Sequence, residues 1–237
     1  MDPKQTAGEK AVEFLRTGMV VGLGTGRTAN FAIKKIGSLI RSGELAVIGI
    51  PTSRMTEKLA LEEGIPLSTP GEHDAIDITI DGADEIDERF NMIKGGGGAL
   101  FREKLIASMT KKEIIAVDES KLVKVLGRGF ALPVEVVPFA AETVLKKIEA
   151  MGARVVIRAA GPPAGVTSKK PSCFLTDNGN VILDCKFEEI PDPARLEKQI
   201  NELVGVVENG LFVGLAHVLC VGQGSGGKVE VRVRPER

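Results

Sequence analysis

Residues 19–29 read MVVGLGTGRTA. This short apolar run passes through a glycine turn into a helical pattern, as expected of a β-strand followed by an α-helix. The same succession recurs along the first half of the chain. Apolar runs cover 19–23, 45–50, 76–80 and 113–117, and helical patterns cover 28–40, 53–63 and 98–110. Strands that alternate with helices predict an α/β fold, with a mostly parallel sheet and helices on both faces.

The pattern changes at residue 132. Strands are expected at 134–137, 153–158, 173–176, 180–186 and 204–208, and helices at 139–151 and 193–203. Apart from one additional short strand, this order matches the β-α-β-β-α-β arrangement of a ferredoxin-like α+β unit. Residues 211–234 then predict two more strands that return to the first sheet. The expected division is a Rossmann-like catalytic domain of residues 1–131 plus 207–237, with an inserted ferredoxin-like small domain of residues 132–206.

Composition and charge exclude several classes of protein. The 237 residues carry 31 Lys and Arg against 32 Asp and Glu, so no positive field is available to hold a nucleic acid. The N-terminal residues lack a secretory signal, and no apolar run is long enough to span a membrane. Three cysteines without a CxxC pair and two histidines without ligand spacing argue against disulfides and metal. We expect a soluble cytoplasmic protein.

Polar residues follow each of the four predicted parallel strands. They are GTGRT at 24–28, PTSR at 51–54, DGADE at 81–85 and DESK at 118–121. Because ligands bind at the carboxyl ends of the strands in open parallel sheets, these residues predict one polar rim.

The first of these turns matches the dinucleotide fingerprint through Gly24, Gly26 and Ala29. That fingerprint also needs an acidic residue at the end of the second strand, where this chain has Pro51 and Thr52, so NAD is disfavoured. The remaining interpretations are a single phosphate at a helix N-terminus and a tight turn without a ligand. A second match, at Gly222, Gly224 and Gly227, precedes a strand and predicts a plain turn.

The rim also contains charged residues that suit proton transfer. Asp81 and Asp84 are candidates for a carboxylate pair, a magnesium site or simple turn caps. Lys94 precedes the run Gly95–Gly98, which is typical of close approach by a ligand or of a hinge. Glu103 follows in the first turns of a helix. A helical Glu is commonly a solvated charge, but this helix starts at the glycine run, so we expect the Glu103 carboxylate to face the same cavity as Asp81 and Lys94.

Four motifs together resemble the type A ribose-5-phosphate isomerase family: GLGTGRTA at 22–29, DGADEID at 81–87, KGGGGALFREK at 94–104 and LPVEVVP at 132–138. LTDNGN at 175–180 and GLF at 210–212 extend the likeness over nearly the whole chain. The resemblance implies interconversion of D-ribose 5-phosphate and D-ribulose 5-phosphate through a cis-enediolate, in the non-oxidative pentose phosphate pathway. It also implies a Rossmann-like domain with an inserted ferredoxin-like domain, no metal or organic cofactor, and a homodimer or homotetramer.

The resemblance further implies a role for each residue at a matching position. The general base falls on Glu103, and other catalytic positions fall on Asp81, Lys94 and Asp84. We expect Lys94 to stabilise the enediolate, Asp81 to relay a proton between its oxygens and Asp84 to assist ring opening. The expected contacts to the substrate and its phosphate are Thr25, Gly26, Arg27, Thr28, Ser53, Gly95, Gly96, Gly97, Lys121 and Lys4.

Three features depart from the family pattern. Arg27 stands where the family often has Ser, His217 stands where an acidic residue is common, and the loop at 161–172 is long. Two alternatives for the function remain at this point: a non-catalytic sugar-phosphate sensor and a sugar-phosphate deaminase-like enzyme. A sensor would not need Lys94 and Glu103 together.

Overall fold

The computed structural model describes residues 1–160, 173–224 and 226–235. The predicted loop at 161–172 therefore lies outside the described residues. The α-helices are α1 (Pro3–Val12), α2 (Arg27–Arg41), α3 (Arg54–Glu62), α4 (Leu100–Ser108), α5 (Ala141–Glu149) and α6 (Pro193–Asn201). No helix in the described part of the chain is both long and apolar enough to cross a membrane.

The strands form three sheets. They are β1 (Val20–Leu23), β2 (Ile48–Pro51), β3 (Ile76–Asp81), β4 (Glu85–Ile86), β5 (Met92–Ile93), β6 (Thr110–Asp118), β7 (Leu132–Val136), β8 (Arg154–Ile157), β9 (Val181–Lys186), β10 (Val206–Asn209), β11 (Leu211–Phe212), β12 (Ala216–Gln223) and β13 (Lys228–Val233).

The main sheet has the strand order β13-β12-β6-β3-β1-β2. All neighbouring pairs are parallel except β12 and β13, which confirms the predicted mostly parallel sheet and the return of the C-terminal strands. Helices α1 and α2 pack on one face, where Ile33 and Ile36 meet Ile78 and Ile80 of β3. Because side chains alternate along a strand, Thr79 and Asp81 point to the opposite face, which α4 covers.

The antiparallel sheet has the order β10-β7-β9-β8, with α5 and α6 packed against it. The chain order β7-α5-β8-β9-α6-β10 confirms the ferredoxin-like pattern. Residues 173–176 do not form the predicted strand, because only Cys173 and Leu175 make isolated bridges and the Thr176 hydroxyl donates to the buried Glu135 carboxylate. β10 pairs with β7 up to Asn209, so this sheet extends beyond the predicted boundary at residue 206.

The smallest sheet, β11-β5-β4, was not predicted, since strands of two residues are too short to show a periodic pattern. It nevertheless fixes the backbone position of Lys94. The Lys94 amide donates to the Gly210 carbonyl at 2.9 Å, and the Asp84 amide donates to the Ile93 carbonyl at 2.8 Å. The two predicted motifs at 81–87 and 94–104 are thereby held side by side.

The second glycine match differs from the expected plain turn. Gly224 and Gly227 lie in the turn between β12 and β13, but Gly222 lies within β12 itself. A Cβ atom at Gly222 would stand 1.9 Å from the Pro3 carbonyl oxygen. The absence of a side chain at this position therefore allows the start of α1 to pack directly on the sheet.

The Glu85 carboxylate connects the first part of the chain to the antiparallel sheet. This side chain is 3% exposed. Its Oε2 accepts the Gly127 amide at 2.6 Å, and its Oε1 accepts the amides of Gly129 and Phe130 at 2.6 and 2.7 Å. Glu85 thus satisfies three backbone donors of the loop that leads into β7, as an ionised carboxylate does well.

We predict that Glu85→Gln lowers the free energy of unfolding by about 2–3 kcal/mol, because an amide nitrogen would face a buried backbone donor that has lost its acceptor. Urea unfolding at neutral pH measures this change. The matched control is Glu88→Gln, a change at an exposed residue three positions on, for which we expect about 0.5 kcal/mol or less. Equal effects of the two substitutions would contradict the prediction.

Candidate active site

A cavity of about 220 Å³ lies at the carboxyl ends of the parallel strands. Its wall includes most of the residues predicted from the sequence: Lys4, Thr25, Gly26, Arg27, Thr28, Asp84, Lys94, Gly95, Gly96, Gly97, Glu103 and Lys121. Met55, Gly82 and Ala83 also line it, and sequence analysis did not single them out. Asp81 and Ser53 do not line it.

Lys94 is the cation at the base of the cavity, with its side chain 2% exposed. Its Nζ lies 3.0 Å from Asp81 Oδ2 and 3.3 Å from Glu103 Oε1, and it donates to the Gly82 carbonyl. Burial alone lowers the pKa of a lysine, but the charges of Asp81 and Glu103 outweigh it and raise the pKa of Lys94 above its ordinary value. Lys94 is therefore a permanent positive charge.

Asp81 lies behind Lys94, away from the cavity, and is 1% exposed. Its Oδ1 accepts the amides of Thr25 and Gly82 at 3.1 and 2.7 Å, while its Oδ2 pairs with Lys94. A Cβ atom at Gly24 would stand 2.3 Å from Asp81 Oδ1. The glycine at position 24 thus makes room for this carboxylate.

Glu103 lies in the first turn of α4, where the helix dipole favours a negative charge. Its Oε1 faces Lys94, and its Oε2 is buried without a hydrogen-bond partner. Burial raises the pKa of Glu103 to about 8; the charge of Lys94 opposes this shift, and those of Asp81 and Asp84 add to it. A carboxylate with one unpartnered oxygen and a raised pKa is suited to accept a proton from a ligand.

Glu113 is a third buried carboxyl group, 1% exposed, and was missed by sequence analysis. Glu113 pairs with Thr79 in the register of β6 and β3, so it shares the α4 face of the sheet with Asp81. Burial raises the pKa of Glu113 well above its ordinary value; the charges of Asp81 and Glu103 add to the shift, and that of Lys94 opposes it. The sequence did contain one sign of this buried group, a charged residue inside the predicted strand at 113–117.

His217 also acquires a structural explanation. The pairing of β12 with β6 shifts register between Ala216 and Val218, so His217 occupies the irregular position. Its Nδ1 accepts the backbone amide of Glu113 at 3.0 Å. Burial lowers the pKa of His217, and the charges of Arg234 and Lys112 add to that shift, so the neutral ring is favoured as an acceptor.

The glycine run borders the cavity through Gly95, Gly96 and Gly97. The Gly96 amide donates to Asp84 Oδ2 at 2.8 Å, which fixes the Asp84 carboxylate at the cavity wall. A Cβ atom at Gly97 would have only Thr25 Cγ2 nearby, at 3.7 Å, so this backbone is open to the cavity. At Gly98 the φ angle is +81°, and an added Cβ would stand 2.4 Å from the Phe174 ring.

The N-terminus of α2 forms the other end of the cavity. Gly26, the N-cap residue, has a φ angle of +113° and provides no side chain to bond the first amides of the helix. Thr28, Lys4 and Lys121 line the cavity beside these amides, and free amides at a helix N-terminus favour an anion. Lys4 Nζ lies 3.5 Å from Asp118 Oδ2, which balances part of its charge.

Arg27 and Ser53 contribute differently from the other predicted residues. The Arg27 side chain is 77% exposed and its Nη2 lies 4.0 Å from Asp2 Oδ2, so its charge remains largely in solvent. Ser53 caps α3 by accepting the Thr56 amide, and its hydroxyl accepts from Thr25 Oγ1 at 2.9 Å. Ser53 is therefore buried beneath the Thr25 turn, and Met55 occupies the cavity wall instead.

The arrangement combines a carboxylate with an unpartnered oxygen, a fixed cation, backbone amides and two further lysines around one cavity. Among residues 1–160, 173–224 and 226–235, no group of three or more His, Cys, Asp or Glu side chains is arranged to hold a metal ion. The geometry suits proton transfer on a small phosphorylated ligand.

Comparison with known proteins agrees with this geometry. Residues 48–226 match the family model described as ribose 5-phosphate isomerase A (phosphoriboisomerase A). Ribose-5-phosphate isomerase A from Thermosynechococcus vestitus is 47% identical over 230 residues, covering 97% of this chain and 94% of that protein. The enzyme of the same name from Desulfatibacillum aliphaticivorans is 49% identical over 224 residues, covering 94% of each.

Solved structures show the same relationship. Ribose 5-phosphate isomerase A from Methanocaldococcus jannaschii has a TM-score of 0.89 and 41% identity, and the match covers 98% of both chains. A D-ribose-5-phosphate isomerase in complex with phospho-erythronic acid has a TM-score of 0.91 and 36% identity, again with 98% of both chains covered. The chain described here belongs to the ribose 5-phosphate isomerase A family.

Proposed function

We propose that this protein interconverts D-ribose 5-phosphate and D-ribulose 5-phosphate, with Glu103 as the base that moves the proton between C2 and C1. The observation that carries this proposal is the unpartnered Glu103 oxygen beside the buried ammonium of Lys94. The family relationship supports the same reaction. It does not favour a sensor or a deaminase-like enzyme.

The chemistry balances without a cofactor. Glu103 removes the proton from C2 of the open-chain aldose, the C2–H electrons form the C1=C2 bond, and the carbonyl electrons move onto O1. Lys94 stabilises the resulting cis-enediolate. The O2 proton then passes to O1, the electrons return to form C2=O, and C1 takes the proton back from Glu103. One base thus serves both carbons because the proton leaves and returns on the same face.

The geometry favours roles for Asp81 and Asp84 that differ from the expected ones. Both oxygens of Asp81 are engaged behind Lys94, so we assign Asp81 to holding the ammonium in place. Asp84 lines the cavity, and its Oδ2 is fixed by the Gly96 amide. We therefore assign to Asp84 both the proton exchange between O1 and O2 and the help with ring opening.

The phosphate is assigned to the anion site at the start of α2. Thr25, Gly26, Thr28, Lys4 and Lys121 are the proposed contacts, and Arg27 acts there mainly through its backbone amide, because its side chain lies in solvent. Anchoring the phosphate at the start of α2, in the same cavity as Glu103, lets remote binding energy orient the reacting carbons.

We propose three further properties. The chain divides into residues 1–131 plus 207–237 and residues 132–206, the antiparallel unit; the separate antiparallel sheet supports this division, although its strand β10 continues to Asn209. The protein is a homodimer or homotetramer, supported by Phe139 and Val204, whose apolar side chains are 100% and 88% exposed on the antiparallel unit. Its location is the cytoplasm, supported by the free thiols of its three cysteines.

The first prediction concerns the base. Glu103→Gln removes the proton acceptor while conserving size, so we expect kcat to fall by about 10²–10⁴-fold. The variant should also stop exchanging the C2 proton of ribose 5-phosphate with deuterated water, followed by NMR. The matched control is Glu57→Gln in the first turn of α3, which is exposed and should leave kcat unchanged. Near wild-type turnover of folded Glu103→Gln would refute the assignment.

The second prediction concerns pH. Because Glu103 must be ionised to act and its pKa is raised to about 8, kcat/KM should rise with pH up to about 8 and then level off. Asp84→Asn removes a negative charge that adds to this shift, so its inflection should move to lower pH. Initial rates between pH 6.5 and 10 measure both curves. A flat wild-type profile over this range would contradict the prediction.

The third prediction concerns the phosphate. Thr28→Val removes one hydroxyl donor from the anion site, and losing a hydrogen bond to a charged group predicts an increase in KM of about tenfold or more. Steady-state kinetics measure KM, and inorganic phosphate inhibition should weaken in parallel. Ser38→Ala, at an exposed position of the same helix, is the control. An unchanged KM for Thr28→Val would remove this turn from the site.

A further inference from the structure

Two side chains of the antiparallel unit hold the glycine run, and neither was singled out from the sequence. Arg158, just after β8, donates through Nη1 to the carbonyls of Gly95 and Gly96, at 3.1 Å each. Phe174 packs its ring against Gly98, where an added Cβ would stand 2.4 Å from the ring. Both are separated from the run by more than 60 residues of sequence and reach it only through the fold.

Arg158 is itself held in one orientation. Its Nε donates to Asp184 Oδ2 at 2.9 Å, and its Nη2 donates to Asp184 Oδ1. The guanidinium also lies over the Phe174 ring, 5.7 Å from the centroid. A bidentate ion pair and a stacked ring together leave Nη1 aimed at the two carbonyls.

The carbonyl contacts determine where the amides of the glycine run point. In a trans peptide, the C=O and N–H groups point in opposite directions, and the described residues contain no cis peptide. The Gly95 carbonyl faces Arg158, and the amide of the same peptide, that of Gly96, donates to Asp84 on the other side. The next peptide has its Gly96 carbonyl on Arg158, so its Gly97 amide is directed away from Arg158, on the side where Gly97 lines the cavity.

We propose that Arg158 is a positioning residue for the enediolate: it aims and polarises the Gly97 amide, which then donates to the oxygen that becomes negatively charged. This proposal rests on the proposed isomerase function. A cationic donor on a carbonyl strengthens the hydrogen bond made by the amide of the same peptide. The antiparallel unit thereby acts on the reaction through Arg158, which does not itself line the cavity.

The effect belongs to the transition state more than to substrate binding. The carbonyl oxygen of the substrate is neutral, whereas the enediolate oxygen carries a full charge. A polarised amide therefore stabilises the enediolate more than it stabilises the bound substrate. The phosphate end of the cavity is formed by α2, α1 and Lys121, whereas the guanidinium hydrogen bonds of Arg158 described above go to Asp184 and the glycine run. Loss of Arg158 should therefore lower kcat while phosphate affinity is conserved.

The test uses Arg158→Lys in the full chain, because a lysine keeps the charge but has no planar fork to bridge Asp184 and two carbonyls. We expect kcat for ribose 5-phosphate to fall about 10- to 100-fold, less than or similar to the loss of a direct oxyanion donor, with KM within about twofold. Phospho-erythronic acid, whose planar carboxylate resembles the enediolate, should lose affinity by a factor similar to that for kcat. Inhibition by inorganic phosphate should be unchanged.

Arg154→Lys is the matched control, because Arg154 begins β8, the strand that Arg158 follows, and is exposed. It should retain wild-type kcat and wild-type affinity for the analogue. If Arg158→Lys does not fold, Asp184→Asn is tested instead. This substitution weakens the ion pair that orients Arg158 but keeps the arginine. We expect the same loss of kcat and of analogue affinity, to a smaller extent, with phosphate inhibition unchanged.

The inference is overturned if Arg158→Lys keeps wild-type kcat and wild-type affinity for the analogue. It is also overturned if the variant loses affinity for phosphate and for the analogue equally, because that result indicates a purely structural role. Failure of the proposed function gives a different result, because the wild-type protein would then not isomerise ribose 5-phosphate at all.

Discussion

The buried ammonium of Lys94 is the constraint on which the rest of the site depends. A charge removed from water must be compensated by opposite charge and hydrogen bonds, and Asp81, Glu103 and the Gly82 carbonyl supply them. This requirement places Asp81 at the end of β3, leaves no space for a side chain at Gly24 and brings the first turn of α4 against the sheet. Burial raises the pKa of Glu103 and leaves one of its oxygens without a hydrogen-bond partner, while the charge of Lys94 limits the rise.

The site is built where the parallel sheet meets the antiparallel unit. Glu85 satisfies backbone amides of the loop that leads into β7, and Arg158 and Phe174 return from the antiparallel unit to the glycine run. The run contributes amides to the cavity, but glycines by themselves have no preferred orientation. Contacts from the second unit supply that orientation, which explains why such a flexible sequence can serve a geometrically demanding reaction.

Sequence reasoning placed the cavity well because the carboxyl ends of parallel strands meet at one edge, so that Thr25, Asp84 and Lys121 had to be near one another. Asp81 and Ser53, which it expected to face the substrate, do not line the cavity. Those side chains are turned inward to partners on other elements, Lys94 and Thr25, and this direction has no periodic signature. Glu113 was missed for the opposite reason, because a charged residue in a strand is ordinarily taken to be exposed.

The sequence by itself determined the order of strands and helices, the ferredoxin-like pattern after residue 132, the glycine turn at 24–28 and the family resemblance, because each depends on local periodicity or on contiguous motifs. Only the tertiary structure decided which carboxylate of the cavity wall has a buried free oxygen and a raised pKa, and which arginine holds the glycine run. Burial and hydrogen-bond partners set these properties. They arise between residues such as Gly96 and Arg158, which are distant along the chain and adjacent only after folding.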